Sequence, residues 1–139
     1  MKEIQKLEIK EYKYWKVMLH HNQCYLGRCV LWCKRDNVID FLDMTDDEKK
    51  EFLEVAKTVR DSLRKIWQPD LMNYSSLANV TLHLHVHIIP RYKNKRAFYN
   101  YEFVDKRWGK NPAPYDKEFS ISEDLLIKIK VEIQKNISS

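Results

Sequence analysis

Glycine is scarce in this sequence. Only two glycines, Gly27 and Gly109, occur among the 139 residues. Walker-type phosphate loops and dinucleotide-binding turns need several closely spaced glycines, because the backbone must approach the phosphates. Both kinds of loop are therefore excluded. Any phosphate group that binds to this protein must be held by side chains and by the amides at strand ends.

Cysteines and long apolar runs are scarce as well. The three cysteines, Cys24, Cys29 and Cys33, are odd in number, and the last two would lie too far apart on one strand to be bridged. No apolar run approaches the ~20 residues that span a membrane. The first residues also lack the hydrophobic region of a signal peptide. We expect no membrane partner and a location in the reducing cytoplasm.

Positive charge is concentrated in one segment. The net charge is +5, and residues 91–110 hold seven Lys or Arg residues against two acidic ones, which equals the whole excess. Such a segment either attracts anionic substrates to a neighbouring site or forms a solvated loop. Its aromatic residues would also suit single-stranded nucleic acid. Because no repeat or nucleic-acid-binding module accompanies them, we expect no nucleic-acid partner.

Four runs of strand-forming residues are present, at 12–19, 27–33, 71–76 and 81–89. The first two are expected to form an antiparallel hairpin. Pro90 is expected to end the fourth, because proline has no N–H to donate. Residues 1–12 suggest a short helix or a frayed lead-in, and residues 92–118 suggest irregular structure.

Two helix starts follow from capping patterns. Thr45 and Glu48 form a capping box, and apolar residues then recur at spacings of three and four, which predicts a helix to about Trp67. Residues 120–123 (SISE) repeat the pattern, and the stretch after them fits a helix or, over 127–132, an alternating strand. We predict a single α+β domain over residues 1–139, with an antiparallel sheet of about five strands, one long helix and a C-terminal helix.

The stretch TLHLHVHIIPR at residues 81–91 carries three of the five histidines. Successive side chains on a strand point to opposite faces, so His83, His85 and His87 share one face and apolar residues share the other. The apolar face can anchor the strand in a core. The opposite face then presents a row of imidazoles.

This row of imidazoles has three interpretations. A strand whose polar face merely happens to carry histidine is the simplest. A metal site is the second, but His83 and His87 would lie about 13 Å apart at their Cα atoms, and no further ligand motif is present. The third is nucleophilic catalysis, in which one imidazole carries a covalent intermediate and its neighbours orient it and assist the leaving group.

The histidine stretch resembles the signature of the histidine triad (HIT) superfamily, in which histidines alternate with apolar residues. Five segments support the resemblance: LGRCVLWCKR (26–35), DMTDDE (43–48), residues 73–79, HIIPRY (87–92) and WGKN (108–111). The last two are similar to the bacterial branch called diadenosine-polyphosphate-hydrolase-like. The resemblance covers about residues 13–115.

The resemblance implies a HIT-like fold, a homodimer whose sheets join, and hydrolysis or transfer at the α-phosphate of a nucleotide conjugate. By resemblance, His85 attacks phosphorus, His83 orients it and His87 assists the leaving group. The same resemblance gives phosphate-contacting positions to two asparagines and a ribose-contacting position to a polar residue after the first strand. These residues are Asn79 and Asn73, and then His20 or Asn22.

Two positions depart from the family pattern. Arg28 and Asp36 stand where relatives often have histidine. Arg28 either faces the site and binds polyphosphate or is a surface charge. The substrate is expected among dinucleoside polyphosphates such as diadenosine tetraphosphate. Nucleoside phosphoramidates, or a binding module with little turnover, are the alternatives. We expect no cofactor held by the protein, and magnesium only through the substrate phosphates.

Overall fold

The computed structural model describes residues 5–137, which form seven strands and two long helices. The strands are β1 (Glu8–Glu11), β2 (Trp15–Leu19), β3 (Cys29–Cys33), β4 (Leu71–Ser75), β5 (His85–Arg91), β6 (Arg96–Phe98) and β7 (Tyr101–Phe103). The helices are α1 (Asp46–Trp67) and α2 (Glu123–Asn136), and a 3-10 turn covers Phe41–Asp43. No helix in the described part of the chain is long and apolar enough to cross a membrane.

Five strands form one antiparallel sheet in the order β1-β2-β3-β5-β4, and β6 and β7 form a separate hairpin. The predicted α+β class and the sheet of about five strands are confirmed. The hairpin of β2 and β3 is confirmed too. One face of β3 and β5, with Leu31, Val86 and Ile88, is buried in the core. The other face is left for the histidines.

Helix α1 follows the sequence prediction closely. Thr45 is its N-cap, and the side chains of Thr45 and Glu48 bond each other's backbone N–H as a capping box requires. The predicted stripe contributes Phe52, Val59 and Leu63 to the core. The helix ends at Trp67, as predicted. The next residue, Gln68, is the C-cap and has left-handed backbone angles, and Pro69 follows it.

The prediction that Pro90 ends the histidine strand is wrong. β5 runs through Pro90 to Arg91. Its pairing with β3 stops at Ile88, while Pro90 lies opposite Met72 of β4. Pro90 therefore has no strand on its β3 side, so the missing N–H breaks no hydrogen bond there. The strand begins at His85, and His83 lies just before it.

Three other local predictions need correction. Residues 5–6 are helical, which agrees with the predicted short helix, but residues 8–11 form a strand, because β2 offers them an edge. Residues 1–4 of that prediction lie outside the described range. The segment 92–118 is irregular except for the β6–β7 hairpin. The C-terminal helix is capped by Ser122, not by the SISE box, because the Ser122 side chain accepts from Leu125 N–H.

Candidate functional site

The three histidines lie together beside Trp32, on the face of the sheet opposite Leu31, Val86 and Ile88. Trp32 of β3 is opposite His85 in the register. Its indole stacks on the ring of His83 with the ring centres 4.2 Å apart, and the ring of His85 lies 5.6 Å from the same indole. The rings of His85 and His87 are 5.1 Å apart. No motif singled out Trp32 in the sequence, although alternation along residues 28–32 places it on the same face as Arg28.

Hydrogen bonds fix which nitrogen of His85 is free. Nδ1 of His85 lies 2.6 Å from the backbone carbonyl of His83. A carbonyl oxygen only accepts, so Nδ1 carries the proton and Nε2 keeps its lone pair. His83 is anchored in the same way, because its Nε2 donates to the carbonyl of Cys33. The middle histidine is therefore held in the tautomer that a nucleophile needs.

His87 is held in the opposite tautomer. Its Nδ1 lies 3.4 Å from Nη2 of Arg28. A guanidinium only donates, so Nδ1 accepts and the proton is on Nε2. Burial, the positive charge of Arg28 and the neighbouring His85 together lower the pKa of His87 to about 4. His87 is thus a neutral imidazole that can donate from Nε2.

His20, the predicted ribose-contacting residue, lies next to His87. The two ring centres are 5.8 Å apart. Its Nδ1 accepts from Asn22 N–H at 3.0 Å, which leaves the proton on Nε2. Burial, followed by the charges of Arg28, His21 and His87, lowers the pKa of His20 to about 2. His20 therefore adds a second neutral N–H group to the site.

Asn22, the other candidate for that role, already has both ends of its side-chain amide in hydrogen bonds within the protein. Its amide nitrogen donates to the carbonyl of Asp116 at 2.9 Å, and its Oδ1 accepts from Cys24 N–H at 3.0 Å. The first bond ties the loop after β2 to the segment before α2, and the second is a local bond within the loop. Of the two residues, the structure brings only His20 against the triad.

Arg28 faces the site and is not a surface charge, because it is only 3% exposed. Its guanidinium lies over the ring of Tyr115, 3.8 Å from the ring centre, and touches His87. Its Nε is buried without a hydrogen bond. No sequence signal pointed to Tyr115, since the contact joins distant segments. Asp36, the other departure from the family pattern, is exposed in the turn after β3.

Asn73 lies on the face of the sheet that carries the histidines, but its side-chain oxygen is already hydrogen-bonded to Arg91. Asn73 is opposite Ile89, and its Oδ1 accepts from Arg91 Nη1 at 2.8 Å. Arg91 also forms a buried ion pair with Asp105, in which Nε and Oδ2 are 2.8 Å apart. Further bonds from Arg91 to the carbonyls of Arg107 and Lys110 fasten the loop 105–110 to β5. In the sequence Arg91 is one member of a basic segment, and nothing there indicates this network.

Asn79, Lys95 and Arg96 form no hydrogen bond with the three histidines among the residues that the structure describes. Asn79 is exposed in the loop between β4 and β5. In the basic segment, Lys95 pairs with Glu102, and Arg96 bonds the carbonyls of Trp67 and Gln68 at the end of α1. Lys95 and Arg96 are therefore already bonded within the protein, and not every charge of this segment is available to attract a substrate.

The described residues contain no group of three or more His, Cys, Asp or Glu side chains arranged to hold a metal ion. The free cysteines do not supply a nucleophile either, because burial raises the pKa of Cys24, Cys29 and Cys33. The site combines one imidazole with a free lone pair, two neutral N–H donors and a buried cation. Such a site suits an anionic electrophile.

Comparisons with known proteins agree with this fold. Residues 2–94 match the model of the HIT domain family. A histidine triad protein from Bradyrhizobium japonicum superposes with a TM-score of 0.78 at 17% identity, covering 99% of this chain and 96% of the other. One from Sinorhizobium meliloti gives 0.79 at 17% identity, with 98% and 94% covered.

A hypothetical histidine triad nucleotide-binding protein from Sulfolobus tokodaii gives a TM-score of 0.68 at 18% identity, with 94% of this chain and 83% of the other covered. At these identities the structural likeness shows the fold alone. No curated protein matches the sequence significantly. The family model covers most of the chain, including the three histidines on β5 and before it. This protein therefore belongs to the HIT domain family.

Proposed function

We propose that the protein is a hydrolase that cleaves nucleotide conjugates at the α-phosphate through a covalent nucleotidyl-histidine. The observation that carries the proposal is the fixed tautomer of His85, whose Nδ1–H bonds the His83 carbonyl. In the first step Nε2 of His85 forms a bond to the α-phosphorus. The bond from phosphorus to the bridging atom breaks, and its electron pair leaves with that atom.

The second step releases the mononucleotide. Water attacks phosphorus, the P–N bond breaks, and its electron pair returns to Nε2 of His85, while the proton of the water passes to solvent. His87 donates a hydrogen bond from its Nε2–H to the bridging atom in the first step. The neutral N–H of His20 adds a donor for the ribose or the phosphate.

Dinucleoside polyphosphates such as diadenosine tetraphosphate are the first substrates to test, as the resemblance to the bacterial branch implies. Phosphoramidates have the same α-phosphate and are the second candidates. A nucleotide-binding module with little turnover is the third. The name of the Sulfolobus tokodaii neighbour includes nucleotide binding, which all three candidates require. Asn73 and Asn79 stay predicted phosphate contacts; Asn73 would have to exchange Arg91 for the substrate.

The mechanism makes an asymmetric prediction for diadenosine tetraphosphate. Attack by His85 at the α-phosphorus expels ATP, and water then releases AMP from the enzyme. In isotopically labelled water the label enters AMP and never ATP. Two ADP products, or label in ATP, would overturn the covalent mechanism, because a water activated by metal can attack the middle of the chain.

The control for this experiment is a variant of the nucleophile. His85→Ala should abolish turnover and leave the fold intact, as circular dichroism would show. Retention of activity within about tenfold of wild type, which is ~1.4 kcal/mol in the barrier, would exclude His85 as nucleophile. Trapping of a nucleotide on His85 in the wild type separates the enzyme from a pure binding module.

Any magnesium is proposed to bind through the substrate phosphates, with no metal held by the protein. The proposal rests on the absence of a ligand cluster within residues 5–137. A structural neighbour at 12% identity, a histidine triad family protein from Mycobacterium smegmatis, is described as Zn-bound, with a TM-score of 0.59. Zinc is therefore the metal that a test must include.

The edge of the sheet supports a homodimer. β4 is the last strand of the sheet, and Leu71, Tyr74 and Leu77 beside this edge are exposed. A groove of about 480 Å³ between α1 and β4 is lined mainly by apolar groups, among them Leu53. A second copy pairing at β4 would cover both the open edge and this groove. Light scattering tests the proposal: a dimer is expected, Tyr74→Arg should weaken it, and a wild-type monomer at high concentration would refute it.

A further inference from the structure

Arg28 is a buried positive charge without a negative partner. It is 3% exposed, and no acidic side chain among residues 5–137 lies within ion-pair distance of it. The other buried arginine, Arg91, has the carboxylate of Asp105. An unpaired buried charge is costly to the fold unless something compensates it. A guanidinium in this state beside a candidate catalytic site points to an anion supplied by the ligand.

The orientation of the guanidinium fixes where that anion would bind. Stacking on Tyr115 at 3.8 Å positions the group, and Nη2 is directed at Nδ1 of His87. Nε is buried and has no acceptor. A planar guanidinium whose plane is held by an aromatic ring and whose donors are not all used suits a tetrahedral phosphate oxygen. The site is therefore next to His87, the residue placed at the bridging atom.

Arg28 also limits what His87 can do. If His87 were protonated on both nitrogens, its Nδ1–H would face the N–H of Arg28, and two donors with like charges would meet. The charged and titratable groups around His87 are Arg28 from just before β3, His85 from β5 and His20 from just after β2, and none is an acid. His87 is thus a neutral N–H donor and a poor proton donor.

Leaving groups differ in what they need at this point. The terminal oxygen of a phosphate chain leaves as an anion and needs positive charge but no proton. An amine leaving a phosphoramidate must take up a proton as the P–N bond breaks, because an amide anion is a very poor leaving group. A fixed cation beside a neutral imidazole serves the first reaction and not the second.

We propose that Arg28 is a specificity-determining residue that binds the leaving phosphate and makes the enzyme prefer phosphoanhydrides to phosphoramidates. This inference rests on the proposed hydrolase function. In the step concerned, the bond from Nε2 of His85 to the α-phosphorus forms and the P–O bond to the leaving phosphate breaks. The electron pair stays on that oxygen, the guanidinium of Arg28 neutralises it, and no proton is transferred.

The test compares two substrates that form the same adenylyl-His85 intermediate and differ only in their leaving group. A difference in rate between them therefore reports on the leaving group. We compare kcat/KM for diadenosine tetraphosphate and adenosine 5′-phosphoramidate in wild type, Arg28→Met, Arg28→Lys and Arg64→Met. Arg28→Met keeps the apolar stem and removes the charge, and Arg64, exposed on α1, is the matched control. Wild type should prefer the tetraphosphate. Arg28→Met should lose roughly tenfold to hundredfold on the tetraphosphate, the range for a hydrogen bond to a charged group. Its phosphoramidate rate should rise, because His87 without Arg28 beside it is a better proton donor.

Arg28→Lys should recover part of the loss, because the charge returns without the fork of donors, and Arg64→Met should change neither substrate. An equal loss on both substrates, or a wild type that prefers the phosphoramidate, would overturn the inference. The pKa of His87 followed by NMR gives a second readout. In wild type it lies well below its ordinary value of about 6.5. It should rise in Arg28→Met but stay below that value, because burial, the largest cause of the shift, remains.

Failure of the proposed function would look different. Wild type would then hydrolyse neither substrate. Binding of inorganic tripolyphosphate, measured by calorimetry, would still test whether Arg28 forms an anion site. Binding to wild type that is lost in Arg28→Met and kept in Arg64→Met supports the site. Binding that is equal in all three proteins, or absent from wild type, refutes it.

Discussion

Replacing Gly27 by alanine should destabilise the protein strongly, although only one methyl group is added. Gly27 has φ +88°, and a Cβ atom there would lie 2.7 Å from Cδ2 of Leu63 and 3.2 Å from the ring of Trp67. Leu63 is fully buried in α1 and cannot retreat toward solvent. The new methyl group would therefore push the start of β3 away from the end of α1, close to Arg28.

The expected magnitude has two parts. An L-residue at positive φ costs roughly 1–2 kcal/mol, and overpacking of a core contact costs about 1–3 kcal/mol. Gly109 separates them, because it has φ +84° and a methyl group added there would meet no atom of the described residues within 4 Å. Gly109→Ala should lose only the first part, roughly 1–2 kcal/mol, and Gly27→Ala about 2–5 kcal/mol.

Urea unfolding followed by tryptophan fluorescence measures both variants against wild type. In thermal unfolding each kcal/mol should lower Tm by about 3–5 °C for a chain of this size. Equal losses of stability in Gly27→Ala and Gly109→Ala would refute the argument, since they would show that the contact with Leu63 and Trp67 contributes nothing beyond the backbone strain.

Three further predictions concern buried charge, pH and metal. Asp105→Asn should cost about 3–5 kcal/mol of unfolding free energy, because buried Arg91 loses its partner, whereas Glu102→Gln in an exposed pair should cost below ~1 kcal/mol. The pKa of His20 is lowered to about 2 in the folded protein, so only the unfolded chain takes up a proton on this residue as the pH falls below about 6.5. The contribution of neutral His20 to stability is therefore fully present above that pH. Below it the free energy of unfolding declines by up to about 1.4 kcal/mol per pH unit. His20→Gln should lose less stability than wild type between about pH 7 and about pH 5, whereas His21→Gln, at an exposed position, should lose as much as wild type. An equal loss of stability with falling pH in both variants would contradict the burial of a neutral His20. A chelator should not abolish nucleotide hydrolysis in a way that zinc specifically restores; if zinc does restore it, the protein holds a catalytic metal.

Local sequence patterns predicted the elements whose information is local. The capping box at Thr45 and Glu48 and the three-and-four spacing after it predict α1, because both the cap and the stripe lie within one helix. Alternation likewise places His83, His85 and His87 on one face, since side-chain direction on a strand has a period of two. The most specific part of the family resemblance comes from the same short stretch.

Features that depend on neighbouring strands were predicted less well. Pro90 was expected to end its strand, yet it is tolerated because β3 does not extend beside it. Residues 8–11 carry little strand signal of their own, and they become β1 only because β2 offers an edge. Strand pairing supplies hydrogen bonds that no local pattern contains.

The sequence by itself determined the family, the fold class and the row of histidines. Tertiary structure alone decided their chemical state. Folding brings Arg28 from just before β3 and Tyr115 from the segment before α2 against the triad, and it places the His83 carbonyl at Nδ1 of His85. The tautomer and pKa of an imidazole depend on the donors, charges and burial around it. Those surroundings come largely from segments far apart in the chain, so they exist only once the chain has folded.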